Sequence, residues 1–197
     1  MSRMSLTLAL EGIDGKLFRE IEYTFYAKIK DLADLEKASA KEEHEQWRLP
    51  LNPDKPVKAR LRLINGRIYT MCTKMKQKGQ IGCSEVEIDI GHDMFQMLKT
   101  TATDGYKKTR YIFPVPNTDR KWEIDVFLGK DGKPHVWVKI DFEVNSPDDK
   151  LPDLPFDIEE LIVENGPEFD SSQERFVRNL WECEWSKLDE VGIVGKD

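Results

Sequence analysis

Apolar and charged residues alternate one for one through at least six stretches of the chain, the period that puts successive side chains on opposite faces of a β-strand. In EIEYTF, Glu20, Glu22 and Thr24 share one face while Ile21, Tyr23 and Phe25 share the other. VKARLRL sets Lys58, Arg60 and Arg62 against Val57, Ala59, Leu61 and Leu63, and YTMCTKMK sets Lys74 and Lys76 against Tyr69, Met71 and Met75. SEVEIDI returns to acid with Glu85, Glu87 and Asp89, and KKTRYIF to base with Lys108 and Arg110. WEIDVF carries Glu123 and Asp125, and VWVKIDFEV carries Lys139, Asp141 and Glu143. Acidic and basic strands therefore follow one another along the chain.

Three segments read as helices. Lys28 to Gln46 is rich in Lys, Glu, Ala and Leu, with Ile29, Leu32, Leu35 and Ala38 spaced for one helical face. A short helix is expected over His92 to Thr100. Ser171 precedes Glu174 at capping-box spacing, and Phe176, Val177, Leu180, Trp181, Trp185 and Leu188 form an apolar stripe. Between elements, the three prolines of Leu49 to Pro56 demand a loop, and Gly129 to Lys133 (GKDGK) has the Asp-Gly of a hairpin turn. The last residues, Val191 to Asp197, are expected to be loose.

Length fits one domain over residues 1–197, and a formal net charge of -7 excludes a surface that wraps a nucleic acid duplex. No run of about 18 apolar residues is present, and the first residues lack a signal-peptide pattern, so a cytoplasmic protein is expected with no membrane partner. Cys72, Cys83 and Cys183 contain no C-x-x-C pair, which predicts reduced thiols rather than disulfides or a thiolate zinc site. His44, His92 and His135 are scattered, and none is placed in the site.

The charged strand faces admit two readings. An ordinary half-buried sheet would show a solvated face of Lys and Glu, but such faces also carry Ser, Thr, Asn and Gln, which are few here. The opposite face is aromatic and large enough to need covering by the helical segments, which leaves the charges inside a closed barrel. Inside, Arg60, Arg62 and Arg110 offer planar bidentate donors to a polyphosphate, with Lys74, Lys76 and Lys108 as point charges. The carboxylates would repel that ligand unless hard divalent cations bridge them to phosphate oxygen, which points to Mg2+ or Mn2+.

These segments, in this order, resemble the CYTH family, the triphosphate tunnel metalloenzymes. The likeness runs from EIEYTF, similar to the family's Glu-x-Glu-x-Lys strand, through RLR, TKMK, SEVEIDI, KKTRY and WEIDVF to DFE, spanning Glu20 to Val144. It implies an α+β fold built on a closed eight-stranded antiparallel β-barrel with flanking helices. It also implies metal-dependent hydrolysis of a triphosphate (tripolyphosphate, thiamine triphosphate or a nucleoside triphosphate), or cyclisation of ATP as in class IV adenylyl cyclases. By position, Glu20, Glu22, Asp125, Asp141 and Glu143 resemble metal ligands, with Glu20 and Glu22 also catalytic, and Arg60, Arg62, Lys74, Lys108 and Arg110 resemble phosphate grips. Lys58, Glu85, Glu87, Glu123 and Lys139 are expected to line the tunnel. Thr24 stands where the family's first motif has Lys, so Lys76 is expected to take that catalytic place, and a non-catalytic nucleotide or polyphosphate binder is the alternative. A monomer or homodimer acting on a small molecule is expected.

Overall fold

A computed structural model describes residues 16–165, apart from 53, 55, 56, 76–81, 130 and 147. The helix expected over Ser171 to Leu188 and the tail from Val191 lie outside the described residues. So does Lys76.

Nine strands are described: β1 (Lys16–Ile29), β2 (Ala40–Leu49), β3 (Val57–Ile64), β4 (Ile68–Met75), β5 (Cys83–Asp89), β6 (Asp104–Pro114), β7 (Lys121–Leu128), β8 (Pro134–Val144) and β9 (Ile158–Asn165). The sheet runs β5-β4-β3-β2-β6-β7-β8-β1-β9, and a β5–β1 pairing closes the first eight into a barrel. All of its pairings are antiparallel. The closed eight-stranded antiparallel barrel is thus present. The length of β1 makes closure possible: Lys16–Glu20 pair with β5, while Ile21–Lys28 pair with β8. Beyond the β5 contact, the freed edge of β1 accepts β9.

Tight turns fix the register. Asn65 and Gly66 both adopt positive φ, 52° and 67°, at the β3–β4 hairpin, the arrangement that matches strand twist. In the β7–β8 hairpin the amide of Gly129 donates to the Lys133 carbonyl at 2.9 Å, so the turn expected at Gly129 to Lys133 is in place. Gly82 enters β5 with φ 80°, and a Cβ there would lie 2.3 Å from the Glu20 carbonyl oxygen, so the closing seam accepts no side chain at this position.

The helix expected over Lys28 to Gln46 is a 3-10 turn, Leu32–Lys37, followed by β2. Asp31 caps the turn, its side chain accepting from the Ala33 amide at 2.8 Å. Beyond Ala38 the apolar helical stripe ends, and the strand pairing of Ala40–Leu49 with both β3 and β6 overrides a helix-favouring composition. The helix over His92 to Thr100 appears as α1 (His92–Lys99).

The hydrophobic core lies on the outside of the barrel. Ile21, Tyr111, Phe113, Trp122, Ile124, Val126, Ile140 and Phe142 point outward and are buried under Leu35 of the 3-10 turn and Phe156 of the segment before β9. Trp122 and Phe142 pack with ring centroids 4.4 Å apart. On the far side, Phe95 of α1 sits 5.5 Å from Trp47 and 4.9 Å from Tyr69. Helices were expected to supply the cover; among the described residues one helix, one turn and one extended segment do so. Outward apolar faces leave the charged faces inside.

Candidate active site

A cavity of ≈ 180 Å³ occupies the barrel interior, lined by residues of β1 and β3–β8. Every residue assigned from the sequence as a phosphate grip or metal ligand reaches it, as do Glu85, Glu87, Glu123 and Lys139. Lys58 does not: it is exposed near the start of β3, outside the lining set, because the strand has just emerged from the proline loop.

Strand register sorts the charges into two walls. On β3–β4 the lumen side carries Arg60, Arg62 and Lys74, while Arg48, opposite Arg60, and Lys58, opposite Lys74, are exposed outside the lumen. On β7–β8–β1, acid faces acid, with Glu123 opposite Asp141 and Glu22 opposite Glu143. Like charges directly opposite are destabilising in a sheet, so neither wall is explained by cross-strand pairing alone. Between the walls, mixed pairs such as Arg110 opposite Asp125 and Lys74 opposite Glu85 join the two signs.

Arg110 is the hub. Its Nε and Nη2 donate to the two oxygens of Asp125 at 2.7 and 2.8 Å, Nη1 bonds Glu123, and Asp141 lies 3.9 Å from Nη2. Lys108 also bonds Asp125, which is fully buried. Burial opposes ionisation of Asp125, but Arg110 and Lys108 outweigh it and hold the carboxyl well below the usual range. For Lys108 the balance reverses. Burial, with Arg110 and Arg62, pulls its ammonium down to about 7 despite Asp125.

The basic wall leans on β5. Arg62 Nη1 reaches both oxygens of Glu87 at 3.2 Å, Arg60 lies 3.8 Å from Glu85, and Lys74 bridges Glu85 at 2.7 Å and Glu20. The Nε atoms of Arg60 and Arg62 have no hydrogen-bond partner among the described residues. Burial works against Glu85, yet Lys74, the Cys72 thiol and Arg60 hold it down at about 2. A folded value below the open-chain 4.5 means stabilisation that is complete above pH 4.5 and disappears as pH falls toward 2. Glu85→Gln should therefore flatten the acid limb of an unfolding profile by about 3 kcal/mol, measured by urea denaturation from pH 5 down to pH 2.

Two groups of residues could hold a metal ion. Cys72, Glu85 and Glu87 bring one ligand atom each within 4.8 Å of one another. An ion there would displace Arg60, Arg62 and Lys74 from those carboxylates, and burial has already pushed the thiol up to about 11. The acidic wall forms no such cluster among the described residues, but its carboxylates face one another across the strands. Glu143 makes no ion pair or hydrogen bond among the described residues, and burial together with Glu20, Glu123 and Glu22 pushes its carboxyl up. A hard divalent cation is the group that relieves facing carboxylates of this kind. Lys139 partly does so, 2.5 Å from Asp141, and Thr24 donates to the other Asp141 oxygen at 2.9 Å.

The sequence reading missed β2. Its inward face carries Glu42, His44 and Gln46, with His44 and Gln46 buried. His44 was left out of the site, but its Nε2 lies 2.8 Å from Glu42, and burial with Lys108, Arg62 and Arg110 nearby lowers its basicity. The alternation 42-44-46 was the available signal, masked by a composition that favours helix. Tyr106 and Phe127, which line the cavity in edge contact at 5.7 Å, were also missed because neither is charged. Cys183 lies outside the described residues, while Cys72 and Cys83 are free thiols as expected.

No family profile matches the chain, and no curated protein matches it. Solved structures do. The inorganic triphosphatase NE1496 is 25% identical, covering 74% of this chain and 87% of that one with a TM-score of 0.45. PH1819 from Pyrococcus horikoshii OT3 is 19% identical over 64% of this chain and 80% of its own, TM-score 0.43. A candidate adenylate cyclase of Bacillus halodurans is 12% identical over 66% and 82%, TM-score 0.45. No helix among the described residues is long and apolar enough to cross a membrane.

Proposed function

We propose that this barrel binds a small-molecule triphosphate together with Mg2+ or Mn2+ and hydrolyses its terminal phosphate. The observation that carries this reading is that one enclosed lumen gathers Arg60, Arg62, Lys74, Lys108 and Arg110 on β3, β4 and β6 and facing carboxylates on β1, β7 and β8. Six cations face eight carboxylates in the lining, so the lumen itself is negative. A triphosphate with about four negative charges cannot enter it on the strength of Arg and Lys alone.

Glu20, Glu22, Asp141 and Glu143, with Asp125 at the junction, would hold the cations, which supply charge neutralisation on the phosphates and a more acidic water. The protein's own part is positional. Arg60 and Arg62 present guanidinium forks from alternate positions of β3, and Arg110, Lys74 and Lys108 complete a donor set around one enclosed volume. Phosphoryl transfer needs little beyond this: in-line alignment and stabilisation of charge spread over the equatorial oxygens. Glu143, which has no ion pair among the described residues and a carboxyl pushed up, and the Glu20–Glu22 pair would orient a water and accept its proton.

The test is phosphate release from tripolyphosphate, thiamine triphosphate and ATP with Mg2+ or Mn2+, comparing wild type with Arg60→Ala. Turnover that needs metal and falls about 100-fold or more in the variant supports hydrolysis. Thr24 favours one second reading, a non-catalytic binder, because its hydroxyl is engaged with Asp141 and brings no charge to the lumen. Stabilisation by ligand without phosphate release, and without cyclic AMP from ATP, would select it.

A further inference from the structure

One cation of the lumen is held unlike the others. Lys139 is anchored chiefly to a carboxylate two residues along its own strand, Asp141 at 2.5 Å, with Glu22 of β1 at 3.8 Å. In register, Tyr26 lies opposite Lys139 and Thr24 opposite Asp141, so the ammonium stands on the acid-facing wall rather than the basic one. Thr24 completes its surroundings, 2.9 Å from Asp141 Oδ1 and 3.2 Å from Glu22 Oε1. Glu22 and Asp141 are thus bridged by one ammonium and one hydroxyl, and the neighbouring Glu143 by nothing among the described residues.

Contrast Arg110, fixed by a planar fork across two strands to three carboxylates. An ammonium on four methylenes is a point charge that can change partners by rotation about its stem, and Lys139 lines the cavity. We propose that Lys139 is an exchangeable place-holder, its ammonium occupying in the metal-free lumen the ground between Glu22 and Asp141 that a divalent cation takes. On cation binding it turns to the phosphates. This rests on the triphosphate reading and adds to it a residue whose two partners compete.

The competition gives effects of opposite sign. In Lys139→Met, Mn2+ titrated into protein without phosphate should bind about 3- to 10-fold tighter, because no ammonium has to leave the two carboxylates. Tripolyphosphate titrated in saturating Mn2+ should bind about 10-fold weaker or more, for want of one charge-assisted donor. Calorimetry reads both without turnover. A merely structural lysine would weaken both, and unchanged or weaker Mn2+ binding overturns the proposal. Lys139→Gln, which keeps a hydrogen bond to Asp141 without the charge, repeats the test should the Met variant fail to fold. Wild type that binds neither Mn2+ nor tripolyphosphate overturns the functional reading and this one together; wild type that binds both, with a variant indistinguishable from it, overturns this one alone.

Discussion

Replacing Arg110 with Met lowers the unfolding free energy by about 3 kcal/mol or more, read as a shift of the urea midpoint at pH 7. The size follows from what is left behind. Asp125 is almost wholly buried and loses its bidentate partner, retaining only Lys108, itself weakly basic; Glu123 falls back on Lys121 at 2.7 Å. Removing one member of a buried charge network strands the others in a medium that solvates them poorly. The control is Arg48→Met, whose pair with Asp104 is 3.7 Å long and about half exposed on both sides, and which should cost under about 1 kcal/mol. Equal losses in the two variants would mean that water fills the lumen well enough to screen it.

Tripolyphosphate alone leaves the thermal midpoint unchanged, whereas tripolyphosphate with Mn2+ raises it. At a hundred times the dissociation constant the gain is about 2.7 kcal/mol. The lining explains the difference. Its cations all lie within 4 Å of a carboxylate, and eight acids outnumber six bases. A phosphate can take Arg62 from Glu87 or Lys74 from Glu85 only if something else then serves the carboxylates. On the proposed function, metal and triphosphate would therefore neutralise the lumen together, and chelation by EDTA should abolish the stabilisation. Stabilisation that survives EDTA would show that the basic wall suffices, and would remove the argument for metal.

Much of this site was legible because a strand declares its two faces by alternation. Glu20 and Glu22, Arg60 and Arg62, Glu85 and Glu87, Lys108 and Arg110, Glu123 and Asp125, and Lys139, Asp141 and Glu143 all needed no more than a period of two. The failures have equally local causes. In Lys41-Glu42-Glu43-His44-Glu45-Gln46 nearly every position is polar, so the two faces of β2 look alike until β3 and β6 are seen on either side. Strand β9 was not anticipated at all, since its place depends on the unpaired edge that β1 leaves once β5 has closed the ring. Pairing of the lumen charges was likewise invisible. Which lysine meets which carboxylate is fixed by register across the barrel, and nothing along the chain announces that Lys139 stands beside Thr24 and Asp141.

Because packing and chemistry occupy alternate residues of the same strands, the barrel has something like a reading frame. Odd-numbered positions of β1, such as Ile21 and Phe25, face the apolar cover, and even-numbered ones, such as Glu20 and Glu22, face the lumen. A slip of one residue would exchange the two scripts, sending carboxylates into the cover and aromatic rings into the lumen. Substitution within the inward script leaves the outward apolar packing intact and is felt instead through the charge network of the lumen. Such a barrel can revise its lumen letter by letter but tolerates no shift of frame.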